Sequence, residues 1–327
     1  MRICVYGPGA IGGHLAARLA KGGAEVSVLA RGATLEAIRD KGLLVRVADG
    51  DIHCRPRAAA QAEELGPQDA VVVCTKVPAL PSVAAGIGPL LGPETSVSFV
   101  VNGIPWWYFD RHGGPEEGRL VPEADPGGAI RAAVGVPRTL GGVIYSASSV
   151  AEPGVVEVTS RTSKLLLGEP DGSRSARAVA LATAFKAGGM PCSVSPDIRT
   201  DVWAKLLNNL SNGPVCLLTR RHMKATFADP VIRAASLRAV HEGLAVAAAL
   251  GRPVPGDPAE RIDLSASLPH KPSILQDLEA GRPMEIDSLF QAPLRLAREA
   301  GVETPTLSLL VALATRAAEA AGLYCPA

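Results

Sequence analysis

The stretch Val202-Trp203-Ala204-Lys205-Leu206-Leu207-Asn208-Asn209-Leu210-Ser211-Asn212 sets one lysine among three asparagines. Asparagines crowded this closely weaken a helix, because their amides compete for the backbone, so they point to a use other than helix formation. On a helix, Lys205, Asn208, Asn209 and Asn212 stand at offsets 0, 3, 4 and 7 and share one face. Val202, Leu206, Leu207 and Leu210 then pack elsewhere. A lysine flanked by amides can donate a proton while its neighbours orient a substrate. The residues leave a second reading open, that of an ordinary exposed polar stripe.

A second group of polar residues follows about 70 positions later, Lys271 to Glu279 and then Gly281 to Asp287. Ser273 comes directly after Pro272, near an expected helix start, where a hydroxyl and free amides can hold a carboxylate. The plainer alternative makes Ser273 a helix cap, with Glu285 and Asp287 as favourable charges at the start of the next helix.

The third group is Gly7-Pro8-Gly9-Ala10-Ile11-Gly12, a G-x-G-x-x-G run placed after an apolar strand and before a helical pattern. That context points to a dinucleotide site, with a tight glycine turn that binds no ligand as the plainer alternative. Gly7 allows the tight turn, Gly9 lets backbone amides approach a pyrophosphate, and Gly12 lets helix and strand pack closely. The second strand ends Val28-Leu29-Ala30-Arg31, without the carboxylate that would accept from a ribose 2′-hydroxyl. An acid there would repel a 2′-phosphate and an arginine would bind it, so Arg31 favours NADP(H). Lys76 and Asn102 fall at the carboxyl ends of later strands, the edge on which open α/β sheets bind ligands. Lys76 is either a cofactor contact or a surface lysine, and Asn102-Gly103 either a functional pair or a simple turn.

The elements that must position these groups change character along the chain. Arg2–Gly7, Glu25–Ala30, Ala70–Lys76 and Ser96–Val101 read as buried parallel strands, with helices at Ala10–Lys21 and Thr34–Lys41. Gly141–Ser146, Val155–Thr159 and Leu165–Gly168 read as antiparallel strands completing the domain. After about Arg199 helical periodicity dominates, at Asp201–Asn212, Pro230–Leu250, Pro272–Ala280, Glu285–Ala300 and Leu307–Ala321. The expected architecture is α/β: an N-terminal Rossmann-type dinucleotide-binding domain, residues 1–196, followed by an all-helical domain, residues 197–327.

The composition is consistent with this. A chain of 327 residues with 47% hydrophobic content supports two ordinary domains. A formal net charge of +1, without a basic block, argues against a nucleic-acid partner. No apolar run approaches the roughly 20 residues of a membrane span, and the first strand breaks into glycines too early for an export signal. Six scattered cysteines without metal-ligand spacing suit a reducing, cytoplasmic setting. The Ala-rich helices Arg233–Leu250 and Leu307–Ala321 leave two packings open, one within their own domain and one against a second copy in a homodimer.

Taken together, these residues resemble the ketopantoate reductase (2-dehydropantoate 2-reductase) family. The likeness runs through the glycine loop, Arg31, Lys76 and Asn102-Gly103. It continues in Trp203-Ala204-Lys205-Leu206 with Asn209, and in Ser273-Ile274-Leu275-Gln276-Asp277 before Glu285-Ile286-Asp287. The resemblance implies NADPH-dependent reduction of a 2-oxo acid to a 2-hydroxy acid, as in the ketopantoate step of pantothenate and coenzyme A synthesis. It implies Lys205 as general acid, and Glu285 as the group that holds a substrate hydroxyl and positions Lys205. Asn209 and Ser273 would bind substrate, and Asn102 would bridge cofactor ribose and Lys205.

The chain departs from the family pattern at three places. A second substrate asparagine is usual eight residues after the lysine, where this chain has Gly213, with Asn212 adjacent as a substitute. An Asn-Gly pair is usual five residues after the glutamate, where this chain has Phe290-Gln291. Trp106-Trp107-Tyr108-Phe109 then holds four of the chain's twelve aromatics, ahead of a Gly/Pro-rich stretch, 113–128. That segment either walls the site, implying a bulkier oxo acid or ketone, or plugs an interface. A catalytically silent NADP(H)-binding sensor is the alternative from another class, against which Lys205 and Glu285 both count.

Overall fold

A computed structural model describes residues 1–326 as two compact units, one formed by Met1–Val101 and Trp106–Ile198, the other by Asn102–Pro105 and Arg199–Ala327. The first contains twelve strands: β1 (Arg2–Tyr6), β2 (Glu25–Leu29), β3 (Leu43–Arg46), β4 (Ile52–Cys54), β5 (Arg57–Ala59), β6 (Gln68–Val73), β7 (Leu91–Phe99), β8 (Thr139–Tyr145), β9 (Ser148–Glu152), β10 (Val155–Val158), β11 (Lys164–Gly168) and β12 (Cys192–Val194). Eight form one sheet in the order β12-β11-β8-β7-β6-β1-β2-β5, and four form a small second sheet in the order β4-β3-β10-β9. β1 lies between β2 and β6, parallel to both, so the strand order reverses direction at its carboxyl end, where the glycine loop begins.

Two strands differ from their sequence reading. β8 joins β7 in parallel and only β11 is antiparallel to it, while β10 leaves the main sheet and pairs with β3 and β9. Short β-branched runs carry no mark of their partner's direction, which the path of the intervening chain decides. The glycines within β8 have a packing cause. A Cβ on Gly141 would come within 2.5 Å of the Trp107 ring, and one on Gly142 within 2.8 Å of Val100.

The aromatic segment is therefore core of the first unit. Trp106, Trp107, Tyr108 and Phe109 are each at most 1% exposed, which favours packing over a pocket wall. Trp106 meets Phe99 edge-on at 5.6 Å, with the Arg131 guanidinium 5.6 Å from its ring centre. Arg131 in turn pairs with buried Asp110 at 2.6 Å. The Gly/Pro-rich stretch is pinned at both ends. Glu117 accepts from the amides of Arg111 and Gly113, and Asp125 from those of Ile130 and Arg131, at the start of a short helix.

The helix Ala10–Lys21 buries its face from Gly12 through Leu19 between the main sheet and the small second sheet, and carries a polar cluster. His14, 1% exposed, accepts from Arg18 Nε at 3.4 Å through Nε2, leaving Nδ1 to carry the proton towards Ser146 Oγ at 3.3 Å. Arg18 is anchored on Asp49 by two hydrogen bonds, of 3.1 and 2.9 Å.

The second unit is helical. Its longest helix, Ile198–Thr219, buries Trp203, Leu206, Leu207, Leu210, Val215 and Leu217 along one stripe. It runs through Pro214, past the expected end at Asn212, because apolar residues on both sides of the proline keep that stripe buried. Pro230–Ala249 crosses it closely at Gly243, where a Cβ would fall 2.7 Å from Leu207. Pro305–Ala320 packs on Pro230–Ala249, the within-domain packing of the two Ala-rich helices, and Glu242 caps it by accepting from the amides of Thr306 and Leu307. Pro258–Ser267 was not foreseen from its mixed, polar sequence. No helix among the described residues is long and apolar enough to cross a membrane.

Burial and the adjacent Arg18 cation push His14 down from 6.5 to about 4. The folded protein thus holds this imidazole neutral while the unfolded chain takes up a proton, so stability falls as pH drops from 6.5 towards 4. His14 contributes roughly 3 kcal/mol to that loss over the whole window. Denaturant titrations across this window should show a shallower loss for His14→Gln than for the wild type; parallel curves would refute the assignment.

Candidate functional site

In the second unit, segment 102–105 and two helical regions bring three of the expected residues into one hydrogen-bonded chain. Lys205 Nζ donates to Asn102 Oδ1 at 2.8 Å, and Asn102 Nδ2 donates to Glu285 Oε2 at 3.2 Å. Asn102 uses both ends of its amide, so its orientation is fixed by a donor on one side and a carboxylate on the other. Glu285 is 6% exposed. Withdrawal from water lowers Lys205 from 10.5 to about 8, and the negative charge of Glu285 holds it above the value that burial alone would give. The result is an ammonium that gives up its proton readily near neutral pH.

Several elements hold this chain in place. Lys205 sits on the long helix, whose Ala204 carbonyl accepts from Arg261 at 3.0 Å. Arg261 also reaches Asn208 Oδ1 at 3.4 Å, so Asn208 serves the helix–helix contact. Glu285 precedes a π-helical turn, Asp287–Gln291, and the C-terminal tail brackets it. The Met284 amide donates to the Leu323 carbonyl at 3.0 Å, and the Tyr324 hydroxyl donates to Asp287 at 2.5 Å. Sequence reasoning missed Arg261, Leu323 and Tyr324, for none of them lies in a periodic or motif context.

Other expected residues stand apart from the chain. Asn209 is half-buried on the same helix, and Asn212 is buried, with an Oδ1 that no hydrogen bond satisfies. Ser273 is exposed at the first position of the helix Ser273–Glu279, where Pro272 is the capping residue and no side chain caps it. The helix-cap reading of Ser273 is therefore overturned: the proline's extended backbone takes the cap position and moves the serine one place inward.

Two of the departures from the family pattern turn out to be a single feature. The Phe290 ring lies against Gly213, 3.1 Å from where a Cβ would stand, with Ile274 3.6 Å away. The aromatic ring fills the space that a side chain at 213 would need.

In the first unit the glycine loop fits a dinucleotide. A Cβ on Gly12 would stand 2.1 Å from the Gly7 carbonyl, and one on Gly7, at φ +88°, would stand 2.7 Å from Thr75. Gly9, the residue before the helix, has open space beside it, no side chain caps the helix, and its first turn carries no acid. Pro8, Ala10 and Ile11 complete that turn. A bare, acid-free helix start suits a pyrophosphate. Arg31 is exposed just beyond β2 and hydrogen-bonds Tyr6, the last residue of β1. Burial raises the Tyr6 phenol, and the Arg31 cation offsets part of that rise. Lys76 is half-buried, three residues beyond the end of β6, at the start of a single 3₁₀ turn. Among the described residues no cluster of His, Cys, Asp and Glu could hold a metal ion.

Comparisons with known proteins agree along the whole chain. A family model described as ketopantoate reductase PanE/ApbA matches residues 3–105, and one described as ketopantoate reductase PanE/ApbA C terminal matches residues 197–318. The chain is 43% identical to the 2-dehydropantoate 2-reductase of Mesorhizobium japonicum, over 99% of its own length and 100% of the relative's. A solved structure from Ralstonia solanacearum MolK2 matches with a TM-score of 0.92 at 39% identity, covering 99% of each chain. The 2-dehydropantoate 2-reductase from Methylococcus capsulatus matches with a TM-score of 0.82 at 28% identity, covering 98% of each chain.

The charge relation between Lys205 and Glu285 can be tested without a substrate. The Lys205 amine, followed by NMR or by its reactivity towards an acylating reagent, should titrate near 8. Glu285→Gln should lower that midpoint by about a unit or more, since it removes the anion that favours the ammonium. An unchanged or higher midpoint would show that the carboxylate does not act on the lysine.

Proposed function

The chain belongs to the ketopantoate reductase family, and on that premise we propose that it reduces 2-dehydropantoate (ketopantoate) to pantoate with NADPH. The observation that carries this reading is the Lys205–Asn102–Glu285 chain, a protonated amine of lowered pKa held by an oriented amide and a buried carboxylate. Bound NADPH, the cofactor of this family, supplies the hydride. The Gly7–Gly12 turn would hold its pyrophosphate, Arg31 its 2′-phosphate, and Lys76 and Asn102 its ribose and neighbouring groups.

Lys205 acts as general acid. As the carbonyl carbon of the 2-oxo acid gains hydride, negative charge builds on its oxygen, and the Lys205 ammonium first stabilises that charge and then gives up its proton. Glu285 keeps Lys205 protonated at neutral pH and accepts a hydrogen bond from a substrate hydroxyl. Asn102 holds the amine in line. Asn209, Asn212 and Ser273 would supply the remaining polar contacts to substrate, Asn212 through the buried oxygen that lacks a partner. Burial of the Trp106–Phe109 side chains inside the first unit supports the small substrate over a bulkier oxo acid. The cytoplasm is the compartment we propose, in keeping with six free cysteines. For a homodimer, the exposed Leu309 and Leu313, one turn apart on Pro305–Ala320, offer apolar surface.

The test is NADPH oxidation with ketopantoate, set beside a panel of branched, aromatic and longer 2-oxo acids. Ketopantoate should be the best substrate, and its turnover should fall as pH rises through about 8 and the ammonium is lost. Lys205→Ala should lower kcat about 10²- to 10⁴-fold with NADPH binding intact. Arg31→Ala should weaken NADPH about 10- to 100-fold and NADH far less, as expected for the loss of a charge-assisted contact to phosphate. Turnover of bulky oxo acids alone would replace the substrate, and tight NADPH binding without any turnover would leave only a sensor.

A further inference from the structure

We infer that Pro293 is a positioning residue for the reaction: it makes the π turn Asp287–Gln291 into a dock for segment 102–105, and so sets Asn102 between Lys205 and Glu285. The inference rests on the reading of Lys205 as the acid.

The helical run from Ile286 to Glu299 contains a proline in its interior. An interior proline has no N–H to give, and its ring collides with the carbonyl four residues back. Here the run widens by one residue just before the proline, which moves the ring off that carbonyl. The Ala292 amide then donates to the Asp287 carbonyl, five residues back, and not to Ser288 as an α-helix would require. In the widened register the partner of the Ser288 carbonyl would be residue 293, a proline without an N–H. The helix therefore leaves the Ser288 carbonyl open.

Segment 102–105 fills that opening. The Ile104 amide donates to the Ser288 carbonyl at 3.0 Å. Gly103, at φ +81°, lies so close that a Cβ there would stand 2.2 Å from the Ser288 oxygen and 2.9 Å from the Leu289 nitrogen. Only glycine has the conformation and the clearance for this approach. The Asn102 side chain, two residues before Ile104, then meets Lys205 and Glu285. The Ser288 hydroxyl makes no hydrogen bond, so the dock is made of main chain. Pro293, which touches none of the three site residues by any hydrogen bond, acts on them through Ser288 and Ile104.

The test replaces Pro293 with alanine in the full-length enzyme. Alanine is a better helix former and restores the N–H, so the turn should tighten towards an α-helix and the Ser288 carbonyl should be drawn into it. Three results are expected together. Tm stays level or rises, the Ile104 amide exchanges at least about 10-fold faster by hydrogen-exchange measurement, and kcat falls about 10-fold or more with KM changing less. Gly103→Ala, which blocks the approach from the other side, should also expose the Ile104 amide. Pro305→Ala, at the start of another helix, should change neither exchange nor kcat.

Unchanged Ile104 protection in both Pro293→Ala and Gly103→Ala would overturn the inference. So would faster exchange with kcat intact, or a kcat loss that merely tracks a fall in Tm. The exchange arm needs no substrate. A wild-type enzyme that fails to turn over ketopantoate would sink the proposed function while the docking result still stands or falls by itself.

Discussion

A lysine withdrawn from water is the constraint around which the second unit is arranged. Removing an ammonium from solvent costs several kcal/mol, and a nearby carboxylate offsets that cost only when the geometry is good and the remaining donors are satisfied. Asn102 is what makes the geometry good. Its carbonyl accepts from Lys205 while its amide donates to Glu285, so the two charges are joined through a neutral group of fixed polarity. A direct ion pair would hold the proton more tightly. Burial leaves the amine at about 8, with the Glu285 charge on the far side of the amide holding it up.

That arrangement shifts the burden onto backbone. Asn102 belongs to a four-residue piece of chain that clusters with the helical unit although its neighbours on both sides belong to the first unit. Its position depends on the main-chain bond to Ser288 and on a glycine with no Cβ to interfere. Glu285, likewise, is bracketed by a main-chain bond from Met284 to Leu323 and by the Tyr324–Asp287 pair. The side chains in this hydrogen-bonded chain are few, and much of what holds them is peptide groups, which are shorter and stiffer than side chains.

This also explains what could be read in advance. The glycine loop, Arg31 and the helix bearing Lys205 announce themselves locally, because each depends on residue types at fixed short spacings. Helix ends at Lys21 and Lys41 and the change to helices near Arg199 follow from the same local rules. The direction of β8 and the removal of β10 to a second sheet depend on how the chain travels between strands, which no local pattern records. The π turn adds one residue to a helical repeat, too small a change for periodicity to register, though a proline inside a helical pattern was a visible sign of irregularity. Arg261 and Tyr324 act across 57 and 37 residues of sequence, and neither carries a motif.

The aromatic segment and the Gly213–Phe290 pair show why departures from a family pattern need structural sorting before they bear on specificity. Four consecutive aromatics look like a rebuilt substrate pocket, yet all of them are buried, matched by Gly141 in β8, which makes room for Trp107, and by cations over two of the rings. Gly213 and Phe290 look like two separate losses of polar groups, yet they pack directly against each other. A side chain restored at 213 alone would press on the Phe290 ring, and a small residue at 290 alone would open a cavity beside Ile274. The pair has to be treated as a single exchange of shape. Next to it lies the one buried amide oxygen on the Lys205 helix without a partner, that of Asn212. An acceptor left dry costs about 1 to 3 kcal/mol, so this oxygen is a place where a hydroxyl donor would be favoured. With a net charge of only +1 there is no general field to draw an anionic substrate in. Selection must then come from contacts of this kind, each made by one placed group.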